Sequence, residues 1–287
     1  MSALYLNKQG FTVFAGCLFP DGPDAQKLKN LSANPNKMHV IKLDVTRDDD
    51  IENVFIEVNK IISQNGLQLW SVVNNAGILR LGEVEWGSFE YNFESIIRVN
   101  TFGYVKIVRK FLPLIRQSRG RIINVNSTAA RFSVPGLVPY CMSKFASLAF
   151  TDGLRREMFK FGVKVISVEP FIYSTQIASS GNLTQSQDTC WGQSDSSVKQ
   201  DYGTRYYKRS LKGQINALGA SNGNPHEVVS AVYDGITSSE PNYRYNCCNI
   251  VIRFILFIGQ LVPIEIIEHL HLIGLKRLKR NRPCPEN

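Results

Sequence analysis

GRIINVNSTAARFSVPGLVPYCMSKFASLAF, residues 120–150, joins a short apolar run to a long amphipathic segment through a loop. The run GRIINVNS (120–127) reads as a strand that gives way to loop at Ser127, and the segment from residue 140 reads as a helix. The same alternation recurs outward in both directions. FTVFAG (11–16), HVIKLDV (39–45), LWSVVNNAG (69–77) and VKVISVEP (163–170) are further strand candidates, with helical patterns near 51–64, 88–117, 140–161 and 226–239. Strands separated by helices of this length describe βαβ crossovers, so the expected fold is α/β, a doubly wound parallel sheet with both faces covered. The polar stretch 179–201 reads as a long loop or lid.

Within the quoted stretch, Tyr140 and Lys144 stand four residues apart. On a helix they share one face, and a nearby ammonium favours the phenolate, which predicts a lowered tyrosine pKa and a proton-transfer site. Ser127, at the strand end, is placed to hold a substrate oxygen. The same spacing also arises on any amphipathic helix. In a doubly wound fold, ligands sit beyond the carboxyl ends of the strands. There the sequence puts Asp44, then Asn74, Asn75, Ala76 and Gly77, then Ser127, then Pro170, which together favour a cofactor crevice.

The chain has 287 residues, 44% apolar composition and a net charge of +9. Much of that charge is local, because Lys276, Arg277, Lys279, Arg280 and Arg282 crowd the carboxyl terminus. No aromatic RNA-binding signature or zinc-finger spacing is present, so nucleic acid is not an expected partner. The six cysteines lack CxxC spacing and read as reduced thiols, and neither they nor the four histidines suggest a metal. Residues 249–275 are apolar but interrupted by Arg253, Glu265 and Glu268, and too short of uncharged length to span a bilayer. With the basic tail behind them they predict an interfacial membrane segment; a helix closing the substrate pocket is the alternative.

LDV (43–45), NNAG (74–77), RVN (98–100), the Ser127-to-Tyr140 spacing, YCMSK (140–144) and VEP (168–170) occur in an order that resembles the short-chain dehydrogenase/reductase family, over about residues 10–245. The likeness is closer to the branch of 3-hydroxybutyrate dehydrogenase, retinol dehydrogenases and 17β-hydroxysteroid dehydrogenases, through FTVFAGCL, GEVEW, FLPLIR, QDYG and PNYRY. The resemblance implies a single Rossmann-type domain over 1–245, incomplete at its amino end, and the apolar residues and basic tail of 246–287 read as a separate, membrane-associated carboxyl segment. It implies Tyr140 as acid/base, Lys144 as its modulator and ribose contact, Ser127 orienting the substrate and Asn100 anchoring a water relay. Asp44 would sit by the adenine, Asn75, Ala76 and Gly77 by its ribose, Val99 in apolar contact, and Pro170 and Thr175 beside the carboxamide.

The implied reaction is hydride transfer between nicotinamide and an alcohol or its ketone: a steroid, a retinoid or 3-hydroxybutyrate. NAD is expected over NADP because CLFPDG, after the first run, carries no Arg or Lys for a 2′-phosphate. A homo-oligomer and a membrane-associated place at the endoplasmic reticulum facing the cytosol, rather than the mitochondrion, also follow from the likeness. Two departures stand out. The family's first strand and glycine-rich turn are not found, and MSALYLNKQGF aligns with the helix that follows them, so a truncated chain with unpaired sheet edges is expected. That expectation carries a second reading, a non-catalytic remnant acting as an interaction protein. Phe171 replaces the usual glycine and is expected to crowd the nicotinamide pocket.

Overall fold

A computed structural model describes residues 1–173, 179–219 and 224–269. Thr175 and the basic tail 276–282 lie outside the described residues. Helix α1 (Ser2–Lys8) turns into strand β1 (Val13–Cys17), followed by α2 (Pro23–Asn30), β2 (Met38–Lys42), α3 (Asp48–Gln64) and β3 (Ser71–Asn74). A nearly continuous helical run comes next: a π turn Glu90–Glu94, α4 (Ser95–Ile97), a second π turn Arg98–Phe102, and α5 (Gly103–Ser118). Strand β4 (Arg121–Val125), α6 (Val138–Met158), β5 (Lys164–Pro170), α7 (Ser180–Gln193), α8 (Ser196–Gly219), α9 (His226–Thr237), β6 (Arg244–Cys247) and α10 (Ile250–Leu261) complete the order.

All strand pairs are parallel, but they form two sheets: β1 with β2, and β3-β4-β5-β6. Two helix layers run across both. On one side Ile51, Val54, Val58 and Ile62 of α3 and Ile107 and Phe111 of α5 pack on Ile41, with Phe14 and Val72 drawn in from either sheet. On the other, Leu6 of α1 and Val232 and Ile236 of α9 pack on Ile123 and Ile166, with Val13 and Val73 joining them. Strands β4 and β5 read as unbroken apolar runs because both faces are covered; Ile122, Ile123, Val165 and Ile166 are buried. The register of β3 on β4 depends on a close approach at Gly120, where a Cβ would stand 2.2 Å from the Trp70 carbonyl oxygen.

The stretch 179–201 is not a loop. It forms α7 and the start of α8, with the Ser179 side chain accepting from Asn182 N at the first cap. The buried face of α7 is Leu183, Ser186, Gln187 and Cys190, which has helical spacing but little apolar character, so hydrophobic periodicity missed it. Strand β6 crosses residue 245 and Cys247 is in the core, so a division of the chain at that point would cut a strand. The expected C-terminal amphipathic element is α10, which ends two residues before Pro263. No helix among the described residues is long and apolar enough to cross a membrane.

Candidate active site

Helix α6 opens with Val138 and Pro139, the latter well suited to a first turn that has no use for its missing N–H. Tyr140 therefore sits in the first turn and Lys144 one turn deeper, both facing the carboxyl end of β4. Lys144 is 4% exposed, and its Nζ donates to Val125 O at 3.1 Å. Tyr104 Oη donates to the same carbonyl at 2.7 Å. The ammonium lies 5.8 Å from the Tyr140 ring centroid and 5.5 Å from that of Tyr104.

The phenol does not titrate as the four-residue spacing predicts. Burial pushes Tyr140 up to about 12, with a hydrogen bond from Ser127 pulling the other way, and burial pushes Lys144 down to about 8. Desolvation wins because Lys144 spends its contact on a backbone carbonyl and lies over the ring rather than against the phenolic oxygen. The site as it stands holds a protonated phenol, ready to give a proton.

Ser127 adopts extended backbone after β4, and its Oγ accepts from Ala129 N at 3.1 Å and lies 3.4 Å from Pro170 O. The loop it begins is fixed by a buried chain of polar groups. Ser147 donates to Asn126 Oδ1 (2.8 Å), Asn126 to Ser167 Oγ (2.9 Å), and Ser167 to Glu169 Oε1 (2.8 Å). Arg131 closes the chain on Glu169 at 2.8 Å, and that carboxylate is 0% exposed. A parallel chain runs from Asn74 through Asn124 to Thr151. Tyr104, Asn126, Arg131 and Glu169 were not singled out from sequence, since no spacing marks partners that come from separate strands and helices.

Asn100 lies in the second π turn and is fully buried. Its Oδ1 accepts from Ile78 N (2.8 Å), and its Nδ2 donates to Ile78 O (2.9 Å) and Ser143 Oγ (2.9 Å). The side chain thus fastens the loop carrying Gly77 to α6. Ser127, Tyr140, Lys144, Asn75, Ala76, Gly77, Pro170 and Phe171 all line one cleft of about 1820 Å³. Asp44 and Val99 are outside its lining. Asp44 Oδ1 instead accepts from Thr46 N (2.9 Å) and Thr46 Oγ1 (2.7 Å), a local turn before α3. Those hydrogen bonds help hold the Asp44 carboxyl below its ordinary range, against a larger, opposing effect of burial.

A family model described as short chain dehydrogenase matches residues 2–186. The chain is 34% identical to the mitochondrial D-beta-hydroxybutyrate dehydrogenase of Rattus norvegicus over 85% of its own length and 71% of the relative's. It is also 34% identical to retinol dehydrogenase 16 of Mus musculus, over 85% and 75%. Among solved structures it is similar to a short-chain dehydrogenase from Streptomyces avermitilis, with a TM-score of 0.68, 20% identity and coverage of 97% and 92%.

A nicotinamide dinucleotide fits these residues in part. A Cβ at Gly77 would stand 3.8 Å from Lys144 Nζ and 3.5 Å from Asn100 Oδ1, at ordinary contact distance, so the Gly77 turn borders the ammonium that would hold a ribose. For the pyrophosphate, the described cleft lining supplies no glycine-rich turn of backbone amides.

Proposed function

The chain belongs to the short-chain dehydrogenase family and is an NAD(P)-dependent oxidoreductase, and from that premise we propose that it interconverts an apolar alcohol, of retinoid or steroid type, with its carbonyl. The observation that carries this reading is the meeting of Ser127, Tyr140 and Lys144 on an apolar cleft. When bound, the nicotinamide supplies the hydride. The protein's part is proton handling and placement: Ser127 Oγ donates to the substrate oxygen, and Tyr140 Oη gives it a proton in reduction or takes one in oxidation. Lys144 contacts the ribose and offsets charge on the phenolate, Asn100 positions the Gly77–Ile78 loop, and Asn75, Ala76, Gly77 and Pro170 border the cofactor. Asp44 is assigned to the adenine and Val99 to apolar contact with the cofactor, both from outside the cleft lining.

The cleft walls favour a large apolar substrate over 3-hydroxybutyrate. Leu79, Phe132, Val134 and Leu137 approach from the Tyr140 side, and Ile255 and Leu256 from α10. NAD is preferred to NADP on the composition of the loop after β1, although Lys29 is anchored there through Pro20 O at 3.5 Å. Helix α10 turns the half-buried Ile252 and Leu256 to the cleft while Phe254, Ile255, Phe257 and Leu261 are exposed, which suits one face closing the pocket and another lying on a membrane, at the endoplasmic reticulum. Homo-oligomerisation is part of the same reading. Comparing kcat/KM for retinol, a hydroxysteroid and 3-hydroxybutyrate, each with NAD and NADP, tests it. Preference for either apolar alcohol with NAD is expected; preference for the hydroxy acid would overturn the substrate class. The split sheet favours a second reading, a non-catalytic interaction protein, for which no turnover and no saturable NAD binding would be the signature.

A further inference from the structure

Two side chains compete for one carbonyl at the end of β4. The ladder between β3 and β4 stops at Asn74 and Asn124, one residue short of Val125. The Val125 carbonyl oxygen accepts from Tyr104 Oη at 2.7 Å and from Lys144 Nζ at 3.1 Å. A carbonyl oxygen has two lone pairs, so these two donors fill it. The shorter bond belongs to the phenol. Tyr104 stands in the first turn of α5, is 1% exposed, and has its hydroxyl fixed on this one acceptor. Burial, with a smaller effect from the neighbouring Tyr140 phenol, holds Tyr104 far above the ordinary tyrosine value, so it remains a donor at any working pH.

The ammonium, by contrast, rests away from the group it serves. Lys144 Nζ lies 5.8 Å from the centroid of the Tyr140 ring and donates to Val125 O, and no hydrogen bond joins it to Tyr140 among the described residues. To reach the phenolic oxygen or a ribose hydroxyl, it has to move off the carbonyl. Its path is lined by aromatic faces on both sides, since the Tyr104 centroid is 5.5 Å away. A covered carbonyl that loses its last donor weighs against such a move by a factor of about five or more. With the Tyr104 hydroxyl in place, Val125 O keeps its shorter bond when Lys144 departs.

We propose that Tyr104 is a positioning residue for Lys144: its hydroxyl holds the Val125 carbonyl, which frees the ammonium to pass from that carbonyl to Tyr140 Oη and the nicotinamide ribose. Tyr104 touches none of the reacting atoms and acts through Lys144 alone. The inference rests on the dehydrogenase reading, in which Lys144 serves the phenolate and the ribose. A packing role would reside in the Tyr104 ring, whereas this role resides in its hydroxyl, and Tyr104→Phe separates the two.

The test compares the intact chain with Tyr104→Phe, Lys144→Met and the double variant. Tyr104→Phe keeps the ring and leaves Lys144 on the carbonyl, so its Tm should stay close to that of the unaltered chain. Its Kd for NAD, read by calorimetry, should rise about tenfold, because Lys144 is now the carbonyl's remaining donor. In urea unfolding without cofactor, only the double variant strips Val125 O of both donors. Its folding equilibrium constant should fall about fivefold or more below the product of the two single effects; loss of a cooperative melt in the double variant alone carries the same meaning. Single effects that simply multiply, an unchanged Kd for NAD in Tyr104→Phe, or a large drop in its Tm would each overturn the inference and leave the dehydrogenase reading standing. No saturable NAD binding by the unaltered chain would overturn both.

Discussion

Lys144 is the residue on which burial and charge are most at odds. Its folded pKa near 8 lies below the ordinary lysine value, so between about pH 8 and 10.5 the unfolded chain binds the extra proton and stability climbs with pH. Below pH 8 the buried ammonium carries its full cost. Lys144→Met should therefore stabilise the fold at pH 7, by up to about 3 kcal/mol from the size of the shift, with Tyr104 still satisfying Val125 O. The gain should fade as pH passes from 8 to 10.5. Urea unfolding across that range checks it, and a pH-independent difference would contradict it. Phe171 makes a second prediction at this scale. Its ring lines the cleft beside Pro170, so Phe171→Gly should raise kcat/KM for a bulky alcohol several-fold, and unchanged kinetics would refute the crowding. Tyr140, Lys144 and Ser127 were legible in sequence because spacing along one helix and one strand end survives in three dimensions. The phenol's raised pKa was not legible, since it depends on what surrounds the pair.

Elements were read well where apolar periodicity is strong and poorly where the buried face is polar. The runs that became β4 and β5 and the pattern that became α6 could be read directly. Helix α7 could not, because its inward face contains Ser186, Gln187 and Cys190. Nor could the two π turns before α5, the second of which carries Asn100 to its partners Ile78 and Ser143. The loop after β4 is held by Arg131 on Glu169, a pair whose side chains are 13% and 0% exposed. Breaking it leaves an uncompensated buried carboxylate, so Arg131→Ala should cost about 3–5 kcal/mol in a denaturant melt; a loss under about 1 kcal/mol would show that the bridge is dispensable. Helix α10 exposes Phe254, Phe257 and Leu261. The intact chain should float with anionic vesicles, and Phe254→Glu with Phe257→Glu should abolish flotation if that face carries the attachment. Flotation unaffected by the pair would move the membrane contact elsewhere.

At the scale of the molecule, the parallel α/β architecture follows from the order of apolar runs and helical patterns. The division of the sheet was foreshadowed by the expectation of unpaired edges. How the helix layers bridge it could not be read from local pattern, because α3, α5, α1 and α9 come together only through tertiary packing. The result is a molecule with Ser127, Tyr140 and Lys144 set near the carboxyl end of β4, on a cleft bordered by both sheets. The central claim is that Ser127, Tyr140 and Lys144 move a proton during dehydrogenase turnover of an apolar alcohol. It is tested most directly by NAD-dependent oxidation of retinol by the intact chain beside Tyr140→Phe. The account predicts measurable turnover that falls by about a hundredfold or more in the variant, with the melting temperature preserved. Equal rates in the two proteins, or no turnover by the intact chain at saturating NAD, would contradict it.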